Sequence, residues 1–515
     1  DRGLRFASSV SVGNSACLGV EDFLGVLDED PGPNPARTCL LYLESIEEPH
    51  RILQHSRSLH AKGRRVVALK AGTTEVGARA AASHTGAMAT SDAAVSALFD
   101  KAGIVRVTSK SEMVDVAGVL AWSRPPTSDD IVVITQAGGP GILLADELSS
   151  HGFRVPELPA ELQRVLLAGL LPGSSAGNPI DFLAAAGPEH VRHVFRLLAD
   201  KAADRIGAAC FVFGSPGLFD IGPVLDVLLD ATRTMPFPVY PVLPSTRTAA
   251  DEAARFRAAG GFYFTDEVAL GRALGVIRRT PPPAPDRPEL PPIDARAIRR
   301  AIEEAKAQGR AHLSPEQVAR VITAIGLGLP GQSVVRDVSD AERAARQLGW
   351  PVVMKVVGPL HKTDVQGVVV GVRDESEVRR AFAKLMGIGG AEGVLVQQQV
   401  RGLELIVGFS REERFGALVL FGLGGVSAEV LRDVRVGLAP LGHEEARRMV
   451  EGIRGAKLLS GVRGNAGVDV ETVVDAVVRM STLAHEFPEL REMDVNPLTG
   501  QGRSLVAVDA RIVIA

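Results

Sequence analysis

Cysteine is scarce. Cys17, Cys39 and Cys210 are the only three, too few and too scattered for a disulfide framework or a zinc site, which points to a reducing cytoplasm. Charge of one sign is also lacking. The formal net charge is −4, giving no global pull toward nucleic acid or an anionic membrane. Arginine pairs such as Arg64-Arg65, Arg278-Arg279 and Arg299-Arg300 read as solvated faces. No apolar run reaches the roughly 18 residues of a membrane span, and Asp1-Arg2-Gly3 does not open a signal peptide. What is present is close to the globular average, with 46% hydrophobic and 23% charged residues. A chain of 515 residues is too long for one core, and length alone predicts about three domains.

The first half alternates short β-rich runs with helical stretches. Thr38–Leu43, Arg65–Leu69, Ile131–Thr135, Ala208–Phe213 and Val239–Leu243 read as strands, and Pro49–Lys62, Gly141–Ser150, Glu189–Asp200 and Pro223–Arg233 as helices. This βα rhythm predicts doubly wound parallel sheets with sites at the carboxyl ends of the strands. A break near Ser123-Arg124-Pro125-Pro126 divides the region into 1–127 and 128–280. The proline-rich stretch 281–293 reads as a semi-rigid linker, setting off 294–515 as a separate body.

His84 lies in Ser83-His84-Thr85-Gly86, ahead of the N-cap run Thr90-Ser91-Asp92. Ala94, Val95, Leu98 and Phe99 then share a helical face, and Gly103 can close that helix. A neutral imidazole, with an ordinary pKa of about 6.5, is a nucleophile that can carry a phosphoryl group, and helix-start N–H groups would face that phosphate. A lone histidine is otherwise a surface or core residue. Ile131–Thr135 runs into Gly138-Gly139-Pro140-Gly141, where glycines allow backbone amides to approach an anion and Pro140 suits the first helical position; an ordinary connector has the same pattern. Glu44 ends a strand and can orient an imidazole, or be one of several solvated glutamates with Glu47 and Glu48. Lys70 ends the next strand near the same edge.

Val10-Ser11-Val12-Gly13-Asn14, Leu41–Glu47, Lys70-Ala71-Gly72, Ser83–Ala87, Thr135–Gly141, His361-Lys362-Thr363-Asp364 and Asp494-Val495-Asn496-Pro497-Leu498 follow one another in an order that resembles the NDP-forming (ADP-forming) acyl-CoA synthetases, relatives of succinyl-CoA ligase. The resemblance implies an α/β fold: two doubly wound, flavodoxin-like and succinyl-CoA-ligase-like domains followed by an ATP-grasp domain. Such enzymes usually begin with a CoA-binding, Rossmann-like domain, and this chain starts after it, so CoA is expected to dock mainly there. By the resemblance, His84 is the phosphohistidine, Glu44 contacts it, and Gly138, Gly139 and Gly141 belong to a phosphate-binding helix start.

In the last body, Lys355 on the β-rich run Pro351–Val357 matches the ATP-grasp lysine that holds ATP phosphates, and a lysine in a buried strand needs an anionic partner. The strand bearing Gln397 and Gln399 resembles the one whose backbone pairs with adenine. Asn496 and Asp509 resemble the magnesium ligands of the fold, and their spacing fits a hairpin. Glu429 is a weaker acidic candidate. His361 matches a second phosphoryl acceptor in the family, or hydrogen-bonds ATP phosphate without being phosphorylated. Gln366 stands where many relatives carry glycine.

The reading is an acid-thiol ligase that forms acyl-CoA from a carboxylic acid, CoA and ATP, releasing ADP and phosphate, with Mg²⁺ at the nucleotide. It is expected to be a cytoplasmic homodimer binding neither nucleic acid nor membrane. The rivals are a catalytically silent ligand-sensing module of the kind fused to protein acetyltransferases, and an ATP-grasp ligase or kinase without CoA.

Overall fold

The computed structural model describes residues 4–13, 18–29, 32, 36–74, 76, 91–213, 220–243, 248–358, 366–425, 433–462 and 466–515. Two compact units emerge. One comprises Asp1–Asp92 and Phe99–Pro283, the other Ala284–Ala515, with which Ala93–Leu98 is grouped.

The first unit holds two parallel sheets. β1 (Thr38–Leu43), β2 (Arg65–Lys70) and β3 (Val105–Val107) pair in that order, and β4 (Ile131–Thr135), β5 (Ile180–Asp181), β6 (Ala208–Val212) and β7 (Val239–Val242) form a sheet ordered β5-β4-β6-β7. Alternation along a strand sends successive side chains to opposite faces. Accordingly Val132 and Ile134 enter one core with the helices Pro188–Ala202 and Gly222–Thr234, while Ile131 and Val133 enter a second. That second core also contains Val67 and Leu69 of β2 and Val105 and Val107 of β3. The stretches 1–127 and 128–280 therefore share one interior. The unbroken apolar runs of β4 and β6, buried at every position, are what a parallel sheet covered on both faces requires.

The predicted helix after β2 is present as Asp92–Ala102, closed by Gly103 in the left-handed conformation at φ 67°. Its face Ala94, Val95, Leu98 and Phe99 is buried. Ser91 occupies the N-cap without a side-chain capping bond.

The second unit has two sheets. β8 (Gln332–Val335), β9 (Val352–Val357), β10 (Val368–Val372) and β11 (Gly393–Gln398) form an antiparallel sheet ordered β10-β9-β11-β8. The larger sheet runs β14-β13-β12-β15-β16, from β12 (Leu403–Glu412), β13 (Gly416–Leu423), β14 (Val434–Leu438), β15 (Leu490–Gln501) and β16 (Ser504–Ala507), with β17 (Ala510–Ile514) also on β15. In the smaller lobe Val352, Met354, Val356, Val394 and Val396 pack into one core with the helices Val338–Leu348 and Glu375–Met386. Val353, Lys355, Val357, Leu395 and Gln397 thus share the opposite face. Among the described residues no helix is long and apolar enough to cross a membrane.

Candidate active site

In the first unit the parallel strands β1, β2 and β3 end at one edge of their sheet. Glu44 follows the last residue of β1, and Lys70 closes β2 opposite Leu43. Arg106, at the centre of β3, forms an ion pair of 2.5 Å with Asp92 at the start of the preceding helix. Lys70 is buried, and its ammonium donates to the carbonyl of Ala71 at 2.5 Å. Burial pushes its pKa below the ordinary 10.5; Asp92 holds it up, Arg106 lowers it further and Glu44 raises it. A desolvated lysine thus shares an edge with two carboxylates and a guanidinium. Arg106 and Asp92 were not singled out as site residues from the sequence, because β3 is only three residues long and Asp92 read as an N-cap.

The glycine turn differs from expectation in its start. The helix runs Gly138–Ser150, so Pro140 is its third residue rather than its first. A Cβ on Gly138 would lie 3.6 Å from Asp181 Oδ2, and one on Gly139 would meet nothing within 4 Å, so these two residues keep open space in front of their backbone. Gly141 does a different job: its N–H donates to Ala137 O at 3.5 Å, and a Cβ there would come 2.7 Å from Thr135 Cγ2. Gly141, expected in an anion cradle, thus also allows close packing of the helix start on Thr135. Asn178, just before β5, is structural. Its Oδ1 accepts from Val133 N at 2.9 Å, and its Nδ2 donates to Ile131 O at 3.0 Å and Pro156 O at 2.9 Å. The amide thereby extends the ladder beside β4 and leaves Asp181, on β5, next to the helix start.

In the second unit, Asn496 on β15 and Asp509 between β16 and β17 come together. Asn496 N donates to Asp509 O at 3.0 Å, and the flanking registers are Leu498↔Ala507 and Val495↔Ala510. The Asn496 side-chain oxygen accepts from Gly425 N at 3.1 Å. Lys355 reaches the same place: it is 4% exposed, and its ammonium donates to the carbonyl of Val508, the residue before Asp509, at 2.8 Å. Asp494, two residues before Asn496, has its carboxyl pushed above the usual range by burial, with Glu492 and Asp509 adding to the shift. A cavity of about 240 Å³ in this unit is lined by Asp509, Val508, Gln332, Leu395, Val357 and Arg511 among others.

Two hard oxygen groups side by side suit Mg²⁺, which takes few protein ligands and completes its shell with water and phosphate oxygens. Among the described residues no group of three or more His, Cys, Asp or Glu is placed to hold a metal ion. β11 is paired on both sides, Gln397 lying opposite Gln332 of β8 and Val353 of β9. Gln399 N bonds Pro351 O at 3.3 Å. His84, His361 and Glu429 lie outside the described residues.

Parallel α/β sheets followed by a two-lobed body with a buried lysine against an Asn/Asp pair define a nucleotide-dependent ligase. The chain matches a succinyl-CoA ligase like flavodoxin domain over residues 1–120, a Ligase-CoA domain over 131–213 and an ATP-grasp domain over 304–514. It is 31% identical over 528 residues to an ADP-forming acetate–CoA ligase of Archaeoglobus fulgidus, covering 99% of this chain and 74% of that protein. It is 28% identical to the ADP-forming 4-hydroxybutyrate–CoA ligase of Nitrosopumilus maritimus, covering 99% of this chain and 75% of that one. An acetyl-coenzyme A synthetase of Ca. Korarchaeum cryptofilum, solved with coenzyme A, Ca-AMPCP and HgCl⁺, is 36% identical, covers 42% of this chain and 99% of its own, and has a TM-score of 0.40. The chain belongs to the ADP-forming acyl-CoA ligase family. As a member of that family it is an ADP-forming acid-thiol ligase.

Proposed function

We propose that ATP-derived phosphate enters at Lys355, Asn496 and Asp509, passes to His361 and then to His84, and leaves on the substrate acid as an acyl phosphate that the CoA thiolate attacks, releasing inorganic phosphate. The observation that carries this reading is the convergence of Lys355, Asn496 and Asp509 within a residue of one another at the β15–β17 hairpin. Magnesium, when bound, neutralises phosphate charge there. Lys355 offers its ammonium to phosphate oxygens, and positioning with charge neutralisation supplies most of the rate, as in phosphoryl transfer generally. At the other unit Glu44 orients the ring of His84, and the amides of Gly138 and Gly139 receive the transferred phosphate. The buried thiols of Cys39 and Cys210 support a cytoplasmic setting, and the resemblance supports a homodimer.

The silent-sensor reading predicts no covalent chemistry, so labelling separates the two. Incubation with Mg²⁺ and γ-labelled ATP gives an acid-labile, base-stable phosphoprotein, and His84→Ala removes that stable label. Full labelling of His84→Ala refutes the assignment.

A further inference from the structure

We infer that the cavity beside the Asn496–Asp509 hairpin is a binding site for a short-chain organic acid, separate from the place proposed for the nucleotide's phosphates. The cavity measures about 240 Å³, below the roughly 300–1,000 Å³ of sites for drug-sized ligands, so it takes a handful of heavy atoms and not a nucleotide. It also lies to one side of the phosphate position. Lys355 and Gln397 both donate to Val508 O, at 2.8 and 3.1 Å, and neither they nor Asn496 line the cavity. In the sheet ordered β10-β9-β11-β8 Lys355 stands on β9, whereas the cavity draws on Gln332 of β8, Leu395 of β11 and only the last residue of β9, Val357.

Its walls differ in character. One is basic. Arg310 and His312 come just before the helix Pro315–Ala324, and the antiparallel bridge His312↔Val513 brings Arg511 toward Ser314, the N-cap of that helix. The other is hydrocarbon, from Val318, Leu329, Val357 and Leu395. Two carboxylates complete the charged lining. Glu392 is 61% exposed and stands 3.8 Å from Arg310, a loose and water-screened pair. Asp509 is the carboxylate proposed above for magnesium, which offsets its charge. Arg511 faces Asp494 in register across β15 and β17, and Arg310 keeps a guanidinium for a ligand better placed than Glu392. A basic wall opposite a hydrocarbon wall fits an amphiphilic anion: guanidinium N–H groups take a carboxylate in pairs, and each methylene withdrawn from water adds about fourfold to affinity. Inorganic phosphate uses the first wall and leaves the second against water; an alcohol does the converse.

The test is calorimetry on the whole protein with acetate, butyrate, butan-1-ol and inorganic phosphate, repeated on Ala319→Phe, which fills the cavity from a lining position, and on Arg310→Gln, which removes a charge. Butyrate is expected to bind with a Kd of about 1 mM or tighter, and acetate, two methylenes shorter, at least about tenfold more weakly. Butan-1-ol and phosphate each fall at least about tenfold below butyrate. Ala319→Phe abolishes this butyrate binding and Arg310→Gln weakens it about tenfold, with the unfolding transition of each variant unchanged. Butyrate binding untouched by Ala319→Phe places the acid elsewhere, as at the acyl site of the reaction, and overturns the assignment. Should Ala319→Phe fail to fold, Arg310→Gln decides alone, because its side chain is 38% exposed and its loss leaves the core intact; unchanged butyrate binding there overturns the assignment equally. Butan-1-ol or phosphate binding as tightly as butyrate, or no binding of butyrate to the unaltered protein, overturns the class of ligand.

Discussion

The two units assemble their candidate residues by different topologies. In the second, an antiparallel hairpin brings Asn496 and Asp509 face to face, and their spacing in the chain is a statement about their contact. In the first, Glu44, Lys70 and Arg106 come from three parallel strands and Asp92 from a helix start, so no fixed spacing relates them; what they share is the carboxyl edge toward which every strand runs. Antiparallel pairing writes a site into local sequence, whereas parallel winding writes only its rim.

The largest expected effect tests whether the two sites work in series. If phosphate passes through His361, His361→Ala abolishes ATP-driven labelling of His84, while acyl phosphate, which never visits the nucleotide site, still labels it in the full-length protein. Normal ATP-driven labelling of His84 in that variant removes His361 from the path.

Next in size is the hairpin pair. Asp509→Ala and Asn496→Ala should each weaken Mg·ATP binding by about a hundredfold, because a coordinating oxygen is lost, with the thermal midpoint little changed. Calorimetry with and without magnesium checks this. Undiminished magnesium-dependent binding in both variants would falsify the ligand assignment.

The same contrast explains what was legible beforehand. The strands 38–43 and 131–135 were placed to the residue because unbroken apolar runs bounded by turn residues admit little else. That Asn496 and Asp509 lie together was legible from their spacing, and their backbones pair. The glycine turn was found, but the division of labour within it was not: that Gly141 packs on Thr135 while Gly138 and Gly139 stay open follows from where β4 and β5 lie, which the local sequence does not contain. Arg106 was hidden for a related reason, since its meaning comes from a neighbour outside its own strand. The role of Asn178 is likewise invisible locally, because its three bonds go to residues of two other segments.

Asn178 gives the third prediction, on stability rather than binding. Asn178→Ala removes the acceptor of Val133 N and the donor to two carbonyls, leaving strand groups unsatisfied, and should destabilise the first unit by about 2 kcal/mol. Nucleotide binding by the second unit should be unchanged. A denaturant titration monitored beside ADP calorimetry separates the two; an unchanged midpoint means water replaces the amide without penalty.

The smallest effect concerns Lys70 and pH. Burial lowers its pKa below the ordinary 10.5, so between the depressed folded value and 10.5 the unfolded chain binds more protons than the folded one. Stability then rises with pH across that window, because the cost of burying a charged ammonium disappears as the folded lysine loses its proton. Below the folded value the cost is fully present. Lys70→Met, which keeps the apolar stem and deletes the charge, should be at least as stable as the parent at neutral pH and should lack that alkaline rise. If Lys70 instead meets the phosphate on His84, the variant also slows phosphoryl transfer, so the edge would gain stability and lose turnover by the same change. Unfolding midpoints of parent and variant from neutral pH to about 10, taken with the labelling rate at each pH, decide the matter. Parallel stability curves would show that Lys70 is ordinarily solvated at the rim and that the electrostatic kinship of Lys70, Glu44, Asp92 and Arg106 carries no energetic weight.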